Sequence, residues 1–156
     1  MGAFLLLSLL AGCQTGRIDP AELTRARFFL EKADGDAYSA IVTLPLSQVK
    51  IPVEGDAILS EFDYLAIDLA ELELGNCLSF TLKPAAARAF YRISVANQGK
   101  RLVLVVDGQP IGARRIDGPV SDGRIYIFLE VPDETLEELA ADLKKTNADI
   151  QKTLSR

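Results

Sequence analysis

In the second half of the chain, apolar residues recur first at every second position, then about every 3.6 positions, and then at every second position again. This change of period is the sequence feature that most restricts the possible folds. Alternation of apolar and polar residues is typical of a strand. Apolar residues at i, i+3, i+4 and i+7 indicate a helix, and a continuous apolar run indicates a strand that is buried on both faces. In chain order these patterns predict a strand, a helix, three strands and a helix: 77–82, 84–97, 102–106, 111–116, 124–131 and from Asp133 onward. That order predicts an α+β fold, with a largely antiparallel sheet, two main helices packed on one face, and a ferredoxin-like βαββ(β)α core.

The first half of the chain predicts shorter elements, because prolines and turn residues interrupt it. The predicted pieces are a helical turn at 19–22, a strand at 27–31, short or edge segments at 39–44 and 49–53, a capped helical turn at 60–63, and a hairpin of 65–69 with 77–82. Asp-Gly pairs at 34–35 and 107–108 predict turns. Gly99 is expected to provide the left-handed exit from the first long helix.

The N-terminus has the pattern of a secretory signal. An apolar run, FLLLSLLA, occupies residues 4–11, and it is too short to span a bilayer as a helix. The residues Leu10-Ala11-Gly12-Cys13 resemble a bacterial lipobox, in which cleavage falls between Gly12 and Cys13 and the cysteine carries diacylglycerol, with fatty acids such as palmitate. The sequence therefore predicts a lipoprotein with a signal peptide over 1–12, a tether over 13–19 and one domain over 20–156.

Two readings of this N-terminus stay open. Only Met1-Gly2-Ala3 precedes the apolar run, whereas a signal begins with Lys or Arg, so either the true start lies upstream or the terminal amine supplies the charge. The alternative is a buried N-terminal strand or helix with an incidental Gly-Cys pair. In the lipoprotein reading the chain is anchored in the cell envelope and faces the periplasm, and Gln14 resembles the outer-membrane sorting signal of enterobacteria.

Composition restricts the classes of function. The chain has 17 Lys and Arg against 22 Asp and Glu, a formal net charge of −5, which argues against nucleic acid as a partner. It has no histidine, so the commonest general base and the commonest transition-metal ligand are missing. We therefore expect no enzyme and no cofactor, with the membrane bound through the lipid on Cys13.

If Cys13 is lipidated, Cys77 is the remaining thiol. It alternates with Ser79 and Thr81, away from Leu78 and Phe80, so its pattern does not guarantee burial. Free cysteines are nonetheless among the most buried residues, and no CxxC partner exists. We expect structural burial rather than a redox role.

Three pieces of the second half carry a family resemblance: TLKP at 81–84, NQGKRLVLVVDGQPI at 97–111, and EELAADL at 137–143. The stretch from Leu82 to Leu143 resembles the periplasmic head domain of SecD, the auxiliary subunit of the bacterial Sec translocase. In that family "TLTPEGA" precedes "NxGKxLAIVLDGxVxSAPxI" and a helix rich in "EELAxxL". Residues 58–63 and 74–75 are similar to that domain's approach to its core strand.

The resemblance concerns scaffold residues, so it implies the fold more than an activity. Two positions depart from the pattern: Gly112-Ala113-Arg114 replaces Ser-Ala-Pro, and Pro132 stands where a Thr is expected. Members of the family carry many transmembrane helices that use proton movement, which this sequence does not show. The resemblance therefore implies a head-like module on a lipid tether, and not proton-coupled export.

Loop acids and an arginine cluster are the candidate sites. Acids at 34, 107, 117 and 122 each precede a glycine, which suits Ca²⁺ binding, but no EF-hand spacing links them and turn formation explains them better. Arg114, Arg115 and Arg124 form the densest positive spot, either docking a carboxylate or an acidic partner, or protecting a solvated edge strand. Residues 144–156 either pack on the sheet or pair with another helix.

Two hypotheses follow from these patterns. In the first, the chain is a noncatalytic envelope lipoprotein whose SecD-head-like domain binds a protein or peptide, linked to protein export or envelope assembly. In the second, it binds a small ligand or is a carboxylate-dependent enzyme of the periplasm, with Asp117 and Asp122 as acid and base. A pocket near residues 112–124 is required by the second. The oligomeric state stays open.

Overall fold

The structure is a computed structural model that describes residues 23–33 and 39–155. The predicted signal peptide, the tether with Cys13, the helical turn at 19–22 and the turn at Asp34-Gly35 lie outside the described residues. In the described ranges the elements are, in chain order, β1 (Ala26–Leu30), β2 (Ala40–Thr43), β3 (Lys50–Val53), β4 (Tyr64–Leu72), β5 (Gly75–Leu82), α1 (Pro84–Ala96), β6 (Arg101–Val106), β7 (Gln109–Arg115), β8 (Arg124–Ile127) and α2 (Asp133–Leu154).

The α+β class and the antiparallel pairing are confirmed. Within the described residues the strands form three antiparallel sheets, ordered β1-β6-β7, β2-β3 and β4-β5-β8. The predicted order of strand, helix, three strands and helix holds for β5 to α2. The predicted continuous sheet is instead divided, since β7 and β8 join no common ladder.

The last strand is shorter than the sequence predicts. β8 ends at Ile127 rather than at residue 131. Beyond it the chain leaves β5, and the Glu130 N–H donates to the Ile111 carbonyl of β7 at 2.7 Å. A run of strand-forming residues thus changes neighbour part-way along, which an alternation pattern cannot reveal.

Both predicted glycine turns in the second half are confirmed. Asp107 and Gly108 have φ values of 47° and 82°, as a two-residue hairpin turn between β6 and β7 requires. Gly99 has φ of 88° just after α1, which is the left-handed exit expected there.

The predicted turn at 60–63 is present as a single turn, in which the Asp63 N–H donates to the Ser60 carbonyl at 3.0 Å, and it does not continue into a helix. The Asp63 carboxylate accepts hydrogen bonds from the Ser60 N–H at 2.8 Å and the Ser60 hydroxyl at 2.9 Å, closing a turn that leads directly into β4. The Ser and Asp that suggested a helix cap satisfy each other instead. Tyr64 then begins the strand.

The main core is centred on three aromatic rings packed edge to face. Phe80 of β5 lies 5.0 Å from both Phe28 of β1 and Tyr64 of β4, measured between ring centroids. The Tyr64 hydroxyl donates to the Ala26 carbonyl at 3.1 Å, so burying this ring leaves no polar group unsatisfied. A smaller apolar cluster lies beneath the β2-β3 hairpin, with these buried members: Leu44, Ile51, Val53 and Val103.

The C-terminal helix packs along the edge of β4, which decides between the two alternatives for residues 144–154. Asn147 Nδ2 donates to the Leu65 carbonyl at 3.1 Å, Gln151 Nε2 donates to the Tyr64 carbonyl at 2.8 Å, and Lys144 Nζ lies 2.8 Å from Asp68 Oδ1. The buried apolar side chains of this helix end at Ile150, and Leu154 is 59% exposed because it lies beyond these contacts.

Candidate functional site

A cleft of about 440 Å³ lies between β7 and β8. All three arginines predicted from the sequence line it: Arg114, Arg115 and Arg124. The two loop acids of the second hypothesis, Asp117 and Asp122, line it as well. The structure therefore brings together the candidate residues of both hypotheses at one place.

The cleft exists because β7 and β8 run side by side and then diverge. At Gly112, β7 packs tightly against the segment after β8, because an added Cβ would lie 2.7 Å from the Phe128 carbonyl oxygen and 2.9 Å from Leu129 Cδ2. Further along, Arg114 Nη1 donates to the Tyr126 carbonyl at 2.8 Å, and this side chain bridges the gap between the strands. The lack of a side chain at residue 112 thus closes one end of the cleft.

The diverging strands turn backbone groups toward the cleft. Before β8, the Gly123 carbonyl accepts from the Leu82 N–H of β5 at 2.8 Å. Because backbone groups alternate in direction along an antiparallel ladder, the N–H and C=O of Tyr126 point away from β5 and toward the cleft. Just after β7, the Ile116 N–H donates to the Lys100 carbonyl at 2.8 Å. By the same alternation, the backbone N–H and C=O of Arg115 point away from β6 and toward the cleft. Each edge therefore turns peptide groups toward the cleft, and the Tyr126 carbonyl among them already accepts the hydrogen bond from Arg114.

The wall of the cleft opposite its closed end is the loop of residues 117–123, and α1 positions it. The Val120 N–H donates to Ser94 Oγ at 2.9 Å, and the Ser94 hydroxyl donates to the Tyr91 carbonyl at 2.8 Å. Ser94 is fully buried. Gly123, with φ of 66°, lies against Ala87, where an added Cβ would be 2.9 Å away. The loop is thus held by specific contacts.

The charges of the cleft are unequally compensated. Arg115 Nε lies 3.8 Å from Asp117 Oδ1 in an exposed pair, and the Arg124 N–H donates to Asp122 Oδ1 at 3.1 Å. Arg114 is half-buried, and no carboxylate of the described chain lies within ion-pair distance of it. The cleft therefore holds a guanidinium that has no counter-ion among residues 23–33 and 39–155.

Tyr126 connects the two strands and adds a hydroxyl to the cleft. Arg124 Nη1 donates to Tyr126 Oη at 3.2 Å, and this hydrogen bond, with smaller contributions from neighbouring charges, raises the pKa of the arginine. The phenol accepts that bond, so its own proton is available to a ligand. Together the arginines and the phenol form a set of donors suited to a carboxylate.

The floor of the cleft is apolar. It is formed by side chains that also belong to the main core: Phe90, Leu102, Ile116 and Ile125. These four side chains are almost completely buried, so a ligand bound here would contact mainly the charged and polar groups of the rim, with the exposed Pro119 beside them.

Cys77 is fully buried on β5, as expected. Burial raises the pKa of its thiol, and the charge of Arg114 opposes this effect only in part. The thiol therefore stays protonated near neutral pH and is a poor nucleophile.

Metal binding gains no support from the loop acids. Asp107 lies in the β6-β7 turn, away from Asp117 and Asp122 in the cleft. In residues 23–33 and 39–155, no three His, Cys, Asp or Glu side chains are close enough to hold a metal ion.

Sequence reasoning missed the residues that build the cleft rather than line its rim. Ser94 and Tyr126 gave no signal, because a serine in a helix and a tyrosine in a strand have many uses. Gly112 did give one, since it departs from the family pattern at the position where the two strands touch.

Comparison of the sequence with protein-family models and with curated proteins finds no match. Among solved structures, the chain is similar to SecDF in a super-membrane-facing form, with a TM-score of 0.61, 20% identity, and coverage of 78% of this chain and 18% of that one. It is also similar to a SecDF structure described as a membrane component that enhances protein export, with a TM-score of 0.60, 20% identity, and coverage of 78% and 62%.

These likenesses establish a SecD-like fold. The chain spans only 18% and 62% of the two SecDF chains, so it corresponds to a part of them. Neither helix of the described part is long and apolar enough to cross a membrane.

Proposed function

We propose that this chain is a noncatalytic module of the bacterial cell envelope that binds a protein or peptide partner in the cleft between β7 and β8. The acidic group of the partner lies on Arg114, Arg115 and Arg124. A lipid on Cys13 anchors the module, which faces the periplasm and belongs to the outer membrane rather than the inner. Its role is in protein export or envelope assembly.

The uncompensated charge of Arg114 carries this proposal. Holding a half-buried guanidinium without a carboxylate costs free energy, and a bound anion recovers it. Arg115 and Arg124 lie on the same cleft, so a single carboxylate can be shared among fork-shaped donors. An arginine whose task was to protect a strand edge would point into solvent instead.

The fold supports the link to export. One of the similar structures is described as a membrane component that enhances protein export. This chain shares the fold of a part of that protein, and the predicted lipid supplies another means of staying at a membrane. Partner binding by a head-like module that a tether holds at the membrane is consistent with both the fold and the predicted lipid.

A second candidate is a small acid as ligand, or carboxylate chemistry on it. Asp117 and Asp122 line the same cleft, and its volume of about 440 Å³ falls in the range of small-molecule pockets. A saturable small carboxylate that no peptide displaces would favour this candidate.

The test is photo-crosslinking in intact cells. A photoreactive amino acid replaces Ser121, which is exposed in the cleft loop, and crosslinked proteins are identified by mass spectrometry. We expect a defined partner that disappears when the same chain also carries Arg114→Gln.

The matched control is Arg92→Gln, which removes an equally charged but exposed side chain from α1, outside the cleft. This change should leave the crosslink intact. If no protein is trapped, or if both arginine variants behave alike, the proposed function is wrong.

A further inference from the structure

The outer edge of β2 is open. This strand pairs with β3 alone, and the Leu44 N–H donates to the Val49 carbonyl at 3.0 Å where the hairpin closes. Because backbone groups alternate in direction along an antiparallel ladder, the N–H and C=O groups of Ile41 and Thr43 point away from β3. Within residues 23–33 and 39–155, no other element bonds to these groups, which form the β2 edge.

Neighbouring strand edges are covered. The Lys32 N–H donates to the Pro52 carbonyl at 2.9 Å on the far side of β3, and the Phe28 N–H donates to the Leu59 carbonyl at 2.9 Å on the outer side of β1. α2 covers the start of β4 in a similar way. Contacts of this kind prevent strand edges from pairing with other chains. Among the described residues, the β2 edge has no such cover.

The segment that forms this edge carries no charge. Residues 37–49, between Asp36 and Lys50, are uncharged in a chain that is 25% charged. A lysine within an edge strand is a common protection against pairing, and it is missing here. The lack of charge matters most for pairing with a second copy, since a two-fold antiparallel pair brings each charge near the axis close to its own image. No such repulsion opposes the pairing of β2 with itself.

Pairing about a two-fold axis at Val42 satisfies the whole edge. Ile41 of one copy then faces Thr43 of the other, and the two symmetric pairs exchange four hydrogen bonds. The side chains gain contacts as well. Ile41 is 69% exposed and would contact a β-branched neighbour across the strands. Val42 is half-buried against the cluster beneath the hairpin, and its remaining surface would contact Val42 of the second copy.

We infer that the β2 edge is an interface with a second copy of this chain. The two hairpins form one four-stranded antiparallel sheet, in the order β3-β2-β2-β3 across the axis. The contact is small for an interface, so the dimer is weak and reversible. No residue of β2 lines the cleft, and the dimer does not depend on the proposed function.

Disulfide trapping in intact cells tests the position of the axis. In the full chain with Val42→Cys, the two Cα atoms would lie about 4.5 Å apart, as in a non-hydrogen-bonded antiparallel pair, and a disulfide can bridge that distance. We expect a covalent dimer after mild oxidation. The parent chain, which retains Cys13 and Cys77, shows what these two cysteines form without the new one.

The matched control for trapping is Leu46→Cys, at a side chain that is 71% exposed. Residue 46 lies beyond the end of β2, so its two copies would be roughly 14 Å apart or more, at about 3.4 Å per residue. A disulfide cannot span that distance, and this variant should give no dimer beyond that of the parent chain.

Sedimentation velocity tests the edge itself, on the purified full chain with Cys13→Ser in reducing buffer. We expect a monomer–dimer equilibrium that added salt does not weaken, because the contact carries no charge. Ile41→Lys should raise the dissociation constant at least about tenfold, since it places a charge on the edge. Leu46→Lys adds the same charge at an equally exposed position and should change the constant less than about twofold. A thermal melt shows that each variant is folded.

Several results would overturn the inference. If Val42→Cys gives no dimer, or if the purified chain stays monomeric at every concentration, the edge does not bind a second copy. Equal trapping through residues 42 and 46 would show random collision. A dimer that Ile41→Lys leaves intact would use another surface, and a dimer that salt dissociates would be held by charges. The crosslink at residue 121 tests the proposed function separately from all of these outcomes.

Discussion

Among the residues that the structure describes, Glu61 is the one charged residue that is buried. Arg27 holds it with two hydrogen bonds, Nε to Oε2 at 2.9 Å and Nη2 to Oε1 at 2.8 Å. The hydrogen bonds from Arg27 lower the pKa of the Glu61 carboxyl below its ordinary value of 4.5, against the opposing effect of burial. A second acid, Glu31, is held the same way by Arg101, and its pKa is also lowered. Both pairs connect segments that are distant in sequence.

We predict that Glu61→Gln lowers the free energy of unfolding by about 1–2 kcal/mol at pH 7, a range that allows for the partial exposure of Arg27. Because the folded-state pKa is depressed, the stabilisation is complete above the ordinary value of 4.5 and is lost as the pH falls through the folded-state value. Urea unfolding at several pH values should therefore show the wild type and the variant converging in acid. A gap that widened in acid would contradict the role of this pair.

Ser94 is a buried hydroxyl that bonds to the cleft loop. We predict that Ser94→Ala destabilises the protein by about 1–3 kcal/mol, because the Val120 N–H loses its acceptor. Amide hydrogen exchange should become faster at Val120 and its loop neighbours by a larger factor than in the β4-β5 hairpin, whose core amides respond only to the global loss of stability. If the loop amides exchanged no faster, the serine would not be what positions the loop.

At the scale of elements, the sequence predicted most of the fold, for a physical reason. Local signals determined β5, α1 and the Asp107-Gly108 turn, since alternation, helical spacing and left-handed turn residues act within a few positions. An error arose where a distant segment decides: β8 ends early because Glu130 bonds to β7. Such choices depend on tertiary neighbours, which single-sequence patterns do not contain.

The same division holds for the cleft. The three arginines were predicted as a cluster because they are close in sequence, and the structure places them on one surface. The divergence of β7 and β8, which creates the space, follows from packing at Gly112 and from the contacts of the loop with α1. No local pattern encodes a gap between two strands.

Gly112 provides the prediction at this scale. Gly112→Ala forces a Cβ to within 2.7 Å of the Phe128 carbonyl, so β7 and the segment after β8 must separate. We expect a loss of about 1–3 kcal/mol in the free energy of unfolding. The matched control is Gly118→Ala, where nothing lies within 4 Å of the added Cβ, and its effect should stay within about 0.5 kcal/mol. Equal effects in chemical denaturation would contradict the close approach at residue 112.

For the whole molecule, the fold and the predicted cellular location depend on different parts of the sequence. The SecD-like fold is established for the described residues. The predicted lipid anchor would depend on the residues around Cys13, which precede the described part. The proposed attachment and the proposed partner binding can therefore be tested independently.

We predict that Cys13→Ser moves the protein from the membrane fraction to the soluble fraction of cells. The reason is that acyl chains contribute about 0.8 kcal/mol per buried methylene, which no other group of the described chain replaces. Intact-mass measurement of the wild type should give the chain from Cys13 onward plus lipid, and the variant serves as its control. A wild-type mass that still includes residues 1–12 would refute the anchor.

The contacts of α2 along β4 also affect whether strands of neighbouring copies of the protein can pair with β4. Lys144, Asn147 and Gln151 occupy the outer margin of this strand, each bonded to it. An incoming strand would have to strip water from an ammonium group and break these bonds before it could stack there. The helix therefore disfavours strand addition along the part of β4 from Tyr64 to Asp68.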